Sequence, residues 1–147
     1  MSSNKDLYYN RLTNLKRELS IEIAKRKKKK KKFTPNQQVM INFINNVTKN
    51  ATFLINNQTI VLRKGNSNGG FVHILEKHFC ENCPGRITLN DILNMDLIIT
   101  RGLKLNKVGV SNTRNIVYQY KKGLQEYKVI LRPENNGELV ISFYSID

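Results

Sequence analysis

The spacing of apolar residues changes along the chain and divides it. Tyr8, Leu12, Leu15, Leu19 and Ile23 recur at intervals of three and four, the stripe of one amphipathic helical face. Nothing breaks a helix before Phe33, so residues 5–32 read as one long helix. The consecutive cations from Lys25 to Lys32 repel one another and should fray its end. The stripe suits docking on the chain's own body or, equally, a coiled-coil or partner-binding helix, since it covers little more than two heptads.

Thr34-Pro35-Asn36-Gln37 opens a second helix: Thr34 can cap, Pro35 suits the first helical position and Gln37 completes a capping box. Val39, Met40, Phe43, Ile44 and Val47 give that helix an apolar face to about residue 48. Two β-prone runs, 51–55 and 58–63, then flank Asn56-Asn57 as a hairpin. Lys64 to Gly70 is a loop, and 71–79 a short helix candidate. Thr88-Leu89-Asn90-Asp91 is a second capping box, opening a helix to about Met95. Residues 115–121, 125–132 and 138–144, separated by Lys122-Gly123 and by 133–137, predict an antiparallel meander. The expected fold is α+β: N-terminal helices, then a small antiparallel sheet ending in a three- to four-strand meander. The expected organisation is a basic helix and lysine-rich tail over 1–32 and a domain over 33–147.

Charge sharpens this division. The net charge is +14, and residues 1–32 hold 12 of the 25 Lys and Arg against three acids, Asp6, Glu18 and Glu22. Such asymmetry points to a polyanionic partner, and cations near phosphates bind by releasing counterions without reading sequence. Lys25, Arg26, Lys27, Lys28, Lys29, Lys30, Lys31 and Lys32 are therefore candidate nucleic-acid contacts. A membrane surface is disfavoured, because the run contains no bulky apolar residue. No apolar run approaches membrane-spanning length and no signal peptide pattern is evident, so the cytoplasm is the expected location. The sequons at Asn46, Asn50 and Asn57 then read as chance matches in an Asn-rich chain.

His73 and His78 are the only histidines. A pair of imidazoles can divide the roles of general base and general acid, as metal-free RNA cleavage requires, with Lys77, Lys128 or Arg132 stabilising the phosphorane. Five residues of helix, however, turn through about 500°, which sets the rings about 140° apart. Of the two, His73 is the better placed, because it follows Gly69-Gly70, where backbone can approach a phosphate. Cys80 and Cys83 with the histidines offer zinc-ligand chemistry, but all four fall within one short segment rather than on two knuckles. A thioredoxin-like role lacks the βαβ context, and the zinc deaminase pattern fails in order. Two reduced thiols in a turn are expected, with no metal and no cofactor.

Alternation in the last strand places Leu139, Ile141 and Phe143 on one face and Ser142 and Tyr144 on the other. With Lys128 and Arg132 from the neighbouring strand, that second face would offer phosphate ligands beside an aromatic ring. Arg114 and Tyr118 could join it. An ordinary amphipathic meander with a wet outer face has the same pattern.

The order Lys64-Gly65-Asn66 to Gly70, then Phe71-Val72-His73-Ile74-Leu75-Glu76-Lys77-His78, resembles a segment of phage- and MuF-associated nuclease domains. These belong to the barnase–EndoU–colicin–RelE-like (BECR) group. Ile87 to Ile92 and the closing Val140-Ile141-Ser142-Phe143-Tyr144 are similar too, so the resemblance spans about residues 50–147. It implies helices on a four-stranded antiparallel sheet and a metal-independent endoribonuclease acting as a toxin or phage-derived effector. Its residues would be His73 first, His78 second, and Ser142 and Tyr144 on the last strand. The CxxC and the lysine-rich helix depart from the pattern. RNA is the expected partner, with an antitoxin or other protein as a candidate for the N-terminal helix. The alternative is a non-catalytic protein that binds nucleic acid or a partner through that helix.

Overall fold

The computed structural model describes residues 4–105 and 115–146. The chain runs α1 (Asn4–Lys29), α2 (Pro35–Ile44), β1 (Ala51–Ile55), β2 (Gln58–Leu62), α3 (Phe71–His78), α4 (Leu89–Leu93), α5 (Met95–Arg101), β3 (Leu103–Leu105), β4 (Ile116–Lys122), β5 (Gln125–Pro133) and β6 (Leu139–Ile146). The fold is α+β, with helices packed on one mixed sheet.

Local chemistry accounts for most element ends. Thr34 Oγ1 accepts from the Gln37 amide at 3.1 Å, while Gln37 Oε1 accepts from the Thr34 amide at 2.9 Å. Thr88 and Asp91 repeat the same reciprocal cap on α4. Asn56 and Asn57 both take positive φ, 52° and 64°, which is what a two-residue hairpin turn requires. Helix α5 is an addition to the sequence reading: the chain restarts as helix after Asn94, and Met95, Ile98 and Ile99 bury at helical spacing.

The N-terminal stripe is spent on the chain's own core. Tyr8, Leu12, Leu15 and Leu19 are buried in the same cluster as the sheet, with Ile23 packed at its margin. The helix continues through Lys29, beyond Lys25, where fraying is expected to begin, and Arg26 anchors its end. Its Nε donates to Glu22 one turn earlier at 3.1 Å, its guanidinium lies 4.1 Å over the Phe33 ring, and its Nη1 donates to Gln37 Oε1 at 3.3 Å. The chain turns only at Lys30, with φ 54°.

The sheet is larger than the predicted meander, in the order β1-β2-β6-β5-β4-β3. Strand β2 joins β6 in parallel through Ile60↔Leu139 and Val61↔Val140, so hairpin and meander form one sheet that is not wholly antiparallel. Between β5 and β6 the register slips: Leu131 pairs with Ile141, but Ile130 pairs with Phe143. Ser142 is thus an extra residue in a β-bulge, and the side-chain alternation inverts after it. Leu139 and Ile141 face the core before the bulge, and Tyr144 and Ile146 face it afterwards. Among the described residues, no helix is long and apolar enough to cross a membrane.

Candidate functional site

The glycine loop between β2 and α3 sets helix α3 beside β6. Gly65 and Gly70 take φ of 65° and 90°, conformations that a side chain would strain. The Gly70 amide donates to the Ser142 carbonyl at 3.0 Å, and the Phe71 and Val72 amides donate to Arg63 and Lys64 carbonyls at 3.0 and 2.8 Å. The bulge residue is therefore the point where the loop is tied to the last strand.

On α3, His73 and His78 come together. Their ring centroids are 5.7 Å apart, edge to face. This corrects the expectation from helical spacing that the rings diverge. The helix ends at His78, whose Nδ1–H donates at 2.7 Å to the carbonyl of Pro84 in the returning chain. The Nδ1–H of His73 donates to the Ser67 carbonyl at 2.8 Å. A carbonyl oxygen can only accept, so both rings carry a proton on Nδ1, and in the neutral form Nε2 is the basic nitrogen of each. Gly85 is needed in the returning turn, because a Cβ there would lie 3.1 Å from His78 Nδ1. Lys77 is exposed on the same helix, one turn beyond His73.

The segment after α3 is held from two sides. Arg11 of α1 donates through Nη1 to the Phe79 carbonyl just past the helix end and, as a second donor beside the Phe79 amide, to the Leu75 carbonyl, both at 3.1 Å. Cys80 and Cys83 form a disulfide, which replaces the expected pair of reduced thiols. The turn that directs the Cys83 amide to the Cys80 carbonyl brings their Cα atoms to 5.2 Å, within bridging reach. A disulfide withholds both thiolates from metal ligation. Among the described residues, no group of three or more His, Cys, Asp or Glu side chains is placed to hold a metal.

The remaining candidates separate. Arg132 and Ser142 lie on an open groove of about 470 Å³ with Arg63, Asn66, Asn68, Gly69, Asn115 and Val140. His73 does not line this groove; it meets the loop at Ser67, between the two groove asparagines. Lys128 shares the outer face of β5 with Arg132 and is half-buried. Tyr144 is in the core, not on that face. It is fully buried, its hydroxyl donates to the Asp91 carbonyl at 2.9 Å, and burial pushes its ionisation well above the usual tyrosine range. Tyr118 is likewise buried, opposite Val129. In the tail, Lys25 and Lys27–Lys32 are exposed, while Arg26 is committed to Glu22, Phe33 and Gln37. Arg114 lies outside the described residues.

Arg63, the asparagines and Glu134 escaped the sequence reading. Arg63 Nη1 and Arg132 Nη2 both donate to Oε1 of Glu134, at 3.1 and 3.2 Å. Only the parallel joining of β2 to β6 brings Arg63 near Arg132, and nothing local in the sequence signals that pairing. No family model, curated protein or solved structure matches the chain.

Proposed function

We propose that the protein is a metal-independent endoribonuclease, a toxin-like or phage-derived effector of the BECR type that its residues 50–147 resemble. The observation that supports this reading is the 5.7 Å approach of the His73 and His78 rings on one short helix. Cleavage of RNA needs one neutral and one protonated group close together, and imidazole ordinarily titrates around neutral pH. One histidine takes the 2′-hydroxyl proton at Nε2 as that oxygen attacks phosphorus. The other gives its Nε2 proton to the 5′-oxygen as the phosphorus–oxygen bond breaks. The products are a 2′,3′-cyclic phosphate and a 5′-hydroxyl. Lys77, one turn from His73, offsets charge on the phosphorane.

The test is incubation of the purified protein with total RNA in EDTA. Cleavage to cyclic-phosphate ends is expected, reduced by about 10² or more in His73→Ala and in His78→Ala. Uncut RNA, or equal cutting by His73→Ala, would end the proposal. A second reading, a non-catalytic nucleic-acid-binding protein, is favoured by the exposed lysines Lys25 and Lys27–Lys32. It expects salt-sensitive binding that is lost with those lysines and no cleavage product.

A further inference from the structure

The groove across the glycine loop from the histidines is built like an anion site. Arg63, just past the end of β2, and Arg132, on β5, reach it from segments separated in the sheet by β6, and both rely on a single carboxylate oxygen of Glu134. Two guanidiniums against one carboxylate leave the cluster with an excess positive charge. Each guanidinium offers five N–H donors in a planar fork, and the bond to Glu134 occupies one donor of each. Both arginines are accessible, with side chains 42% and 55% exposed. The rest of the lining is neutral and polar, with Asn66, Asn68, Asn115 and Ser142, and Val140 contributes an apolar patch.

Gly65, Gly69 and Gly70 of the loop also line the groove. A Cβ on Gly65 would collide with the Gly69 carbonyl oxygen, and one on Gly70 would sit 3.0 Å from the Arg63 carbonyl oxygen. Glycine at both positions thus lets the loop fold tightly on its own backbone, and the Gly70 amide ties the loop to Ser142, which also lines the groove.

We infer that this groove is a phosphate-binding subsite in which Arg63 and Arg132 grip one backbone phosphate of a nucleic acid, with Glu134 as an internal counterion that the phosphate displaces or shares. Planar guanidiniums bind phosphate oxygens in pairs, and a phosphodiester's single charge matches the excess of one. The choice of nucleic acid as the source of that phosphate rests on the function proposed above. A strand bound at both the groove and His73 would cross the loop at Ser67, where His73 meets it.

The probe is a fluorescein-labelled single-stranded DNA of about 12 nucleotides, whose lack of a 2′-hydroxyl makes binding independent of cleavage. Fluorescence anisotropy would be read at low salt, with inorganic phosphate as competitor. Glu134→Gln should tighten binding about threefold. The triple variant Arg63→Gln/Arg132→Gln/Glu134→Gln, which removes the arginines without exposing the carboxylate, should weaken binding about tenfold and lower the salt dependence. Unchanged affinity in the triple variant would overturn the inference, as would weaker binding in Glu134→Gln. Phosphate that binds through these arginines while the oligonucleotide ignores them would overturn the nucleic-acid assignment. Failure of RNA cleavage alone would leave these measurements standing.

Discussion

The hydroxyl of Tyr144 donates to the backbone carbonyl of Asp91 at 2.9 Å, fastening the end of β6 to helix α4. The Tyr144 ring also lies against that of Tyr127, with centroids 6.5 Å apart. This residue packs in the core rather than on the outer face of the sheet with Lys128 and Arg132. Tyr144→Phe should lower stability by about 1 kcal/mol, because the carbonyl loses its buried donor. Chemical denaturation measures this, and cleavage per folded molecule should not change. A large loss of cleavage with unchanged stability would restore Tyr144 to the substrate face.

Tyrosine burial also sets the response to alkali. Burial, then the neighbouring Tyr9, pushes Tyr8 up to about 12, and burial, then Asp91, raises both Tyr127 and Tyr144. For each, the folded state holds its proton above the pH at which the unfolded chain releases it. The stabilisation is therefore complete below about pH 10 and is lost as pH rises from there through the folded value. For Tyr8 alone the loss amounts to at most roughly 3 kcal/mol. Urea midpoints taken between about pH 9 and pH 11 should fall, and less steeply in Tyr8→Phe.

Arg11 links α1 to the helix that bears the histidines. Arg11→Ala should cost about 1–3 kcal/mol, by leaving the Leu75 and Phe79 carbonyls without their charged donor. Arg11→Lys should recover only part of this, since an ammonium lacks the guanidinium's planar fork. Thermal melts of the two variants provide the measurement. Equal melting of Arg11→Ala and the parent would show that water replaces the cap at no cost.

The exposed lysines should supply affinity rather than chemistry. Replacing Lys27–Lys32 with glutamine should reduce the slope of log affinity against log salt for single-stranded RNA by up to about 4. The rate of cutting at saturating RNA should hold. A slope that does not change would remove the tail from the binding surface.

Much of the candidate helix was legible because its signals are local. Gly69-Gly70 precedes His73 within the chain, and both histidines belong to one short segment. Their meeting was not legible, since it depends on where α3 stops and on the turn that presents Pro84 to His78. The groove was half legible: Arg132 and Ser142 were named, but grouped with Tyr144 through an uninterrupted alternation. The bulge at Ser142 breaks that alternation, and it is visible only in the pairing of β5 with β6.

The sequence by itself determined what depends on neighbours a few residues apart. Those features are the reciprocal caps at Thr34 and Thr88, the Asn56-Asn57 turn, the apolar stripe of α1 and the three strands of the meander. Each rests on dihedral preference, a short-range hydrogen bond or a fixed period. Only the tertiary structure decided the partner of the stripe, the parallel joining of β2 to β6, the burial of Tyr144 and the sharing of Glu134 by two arginines. These depend on contacts between residues far apart in the chain, where a shift of one residue in register exchanges the two faces of a strand. Local pattern carries no information on that choice until the whole core is packed.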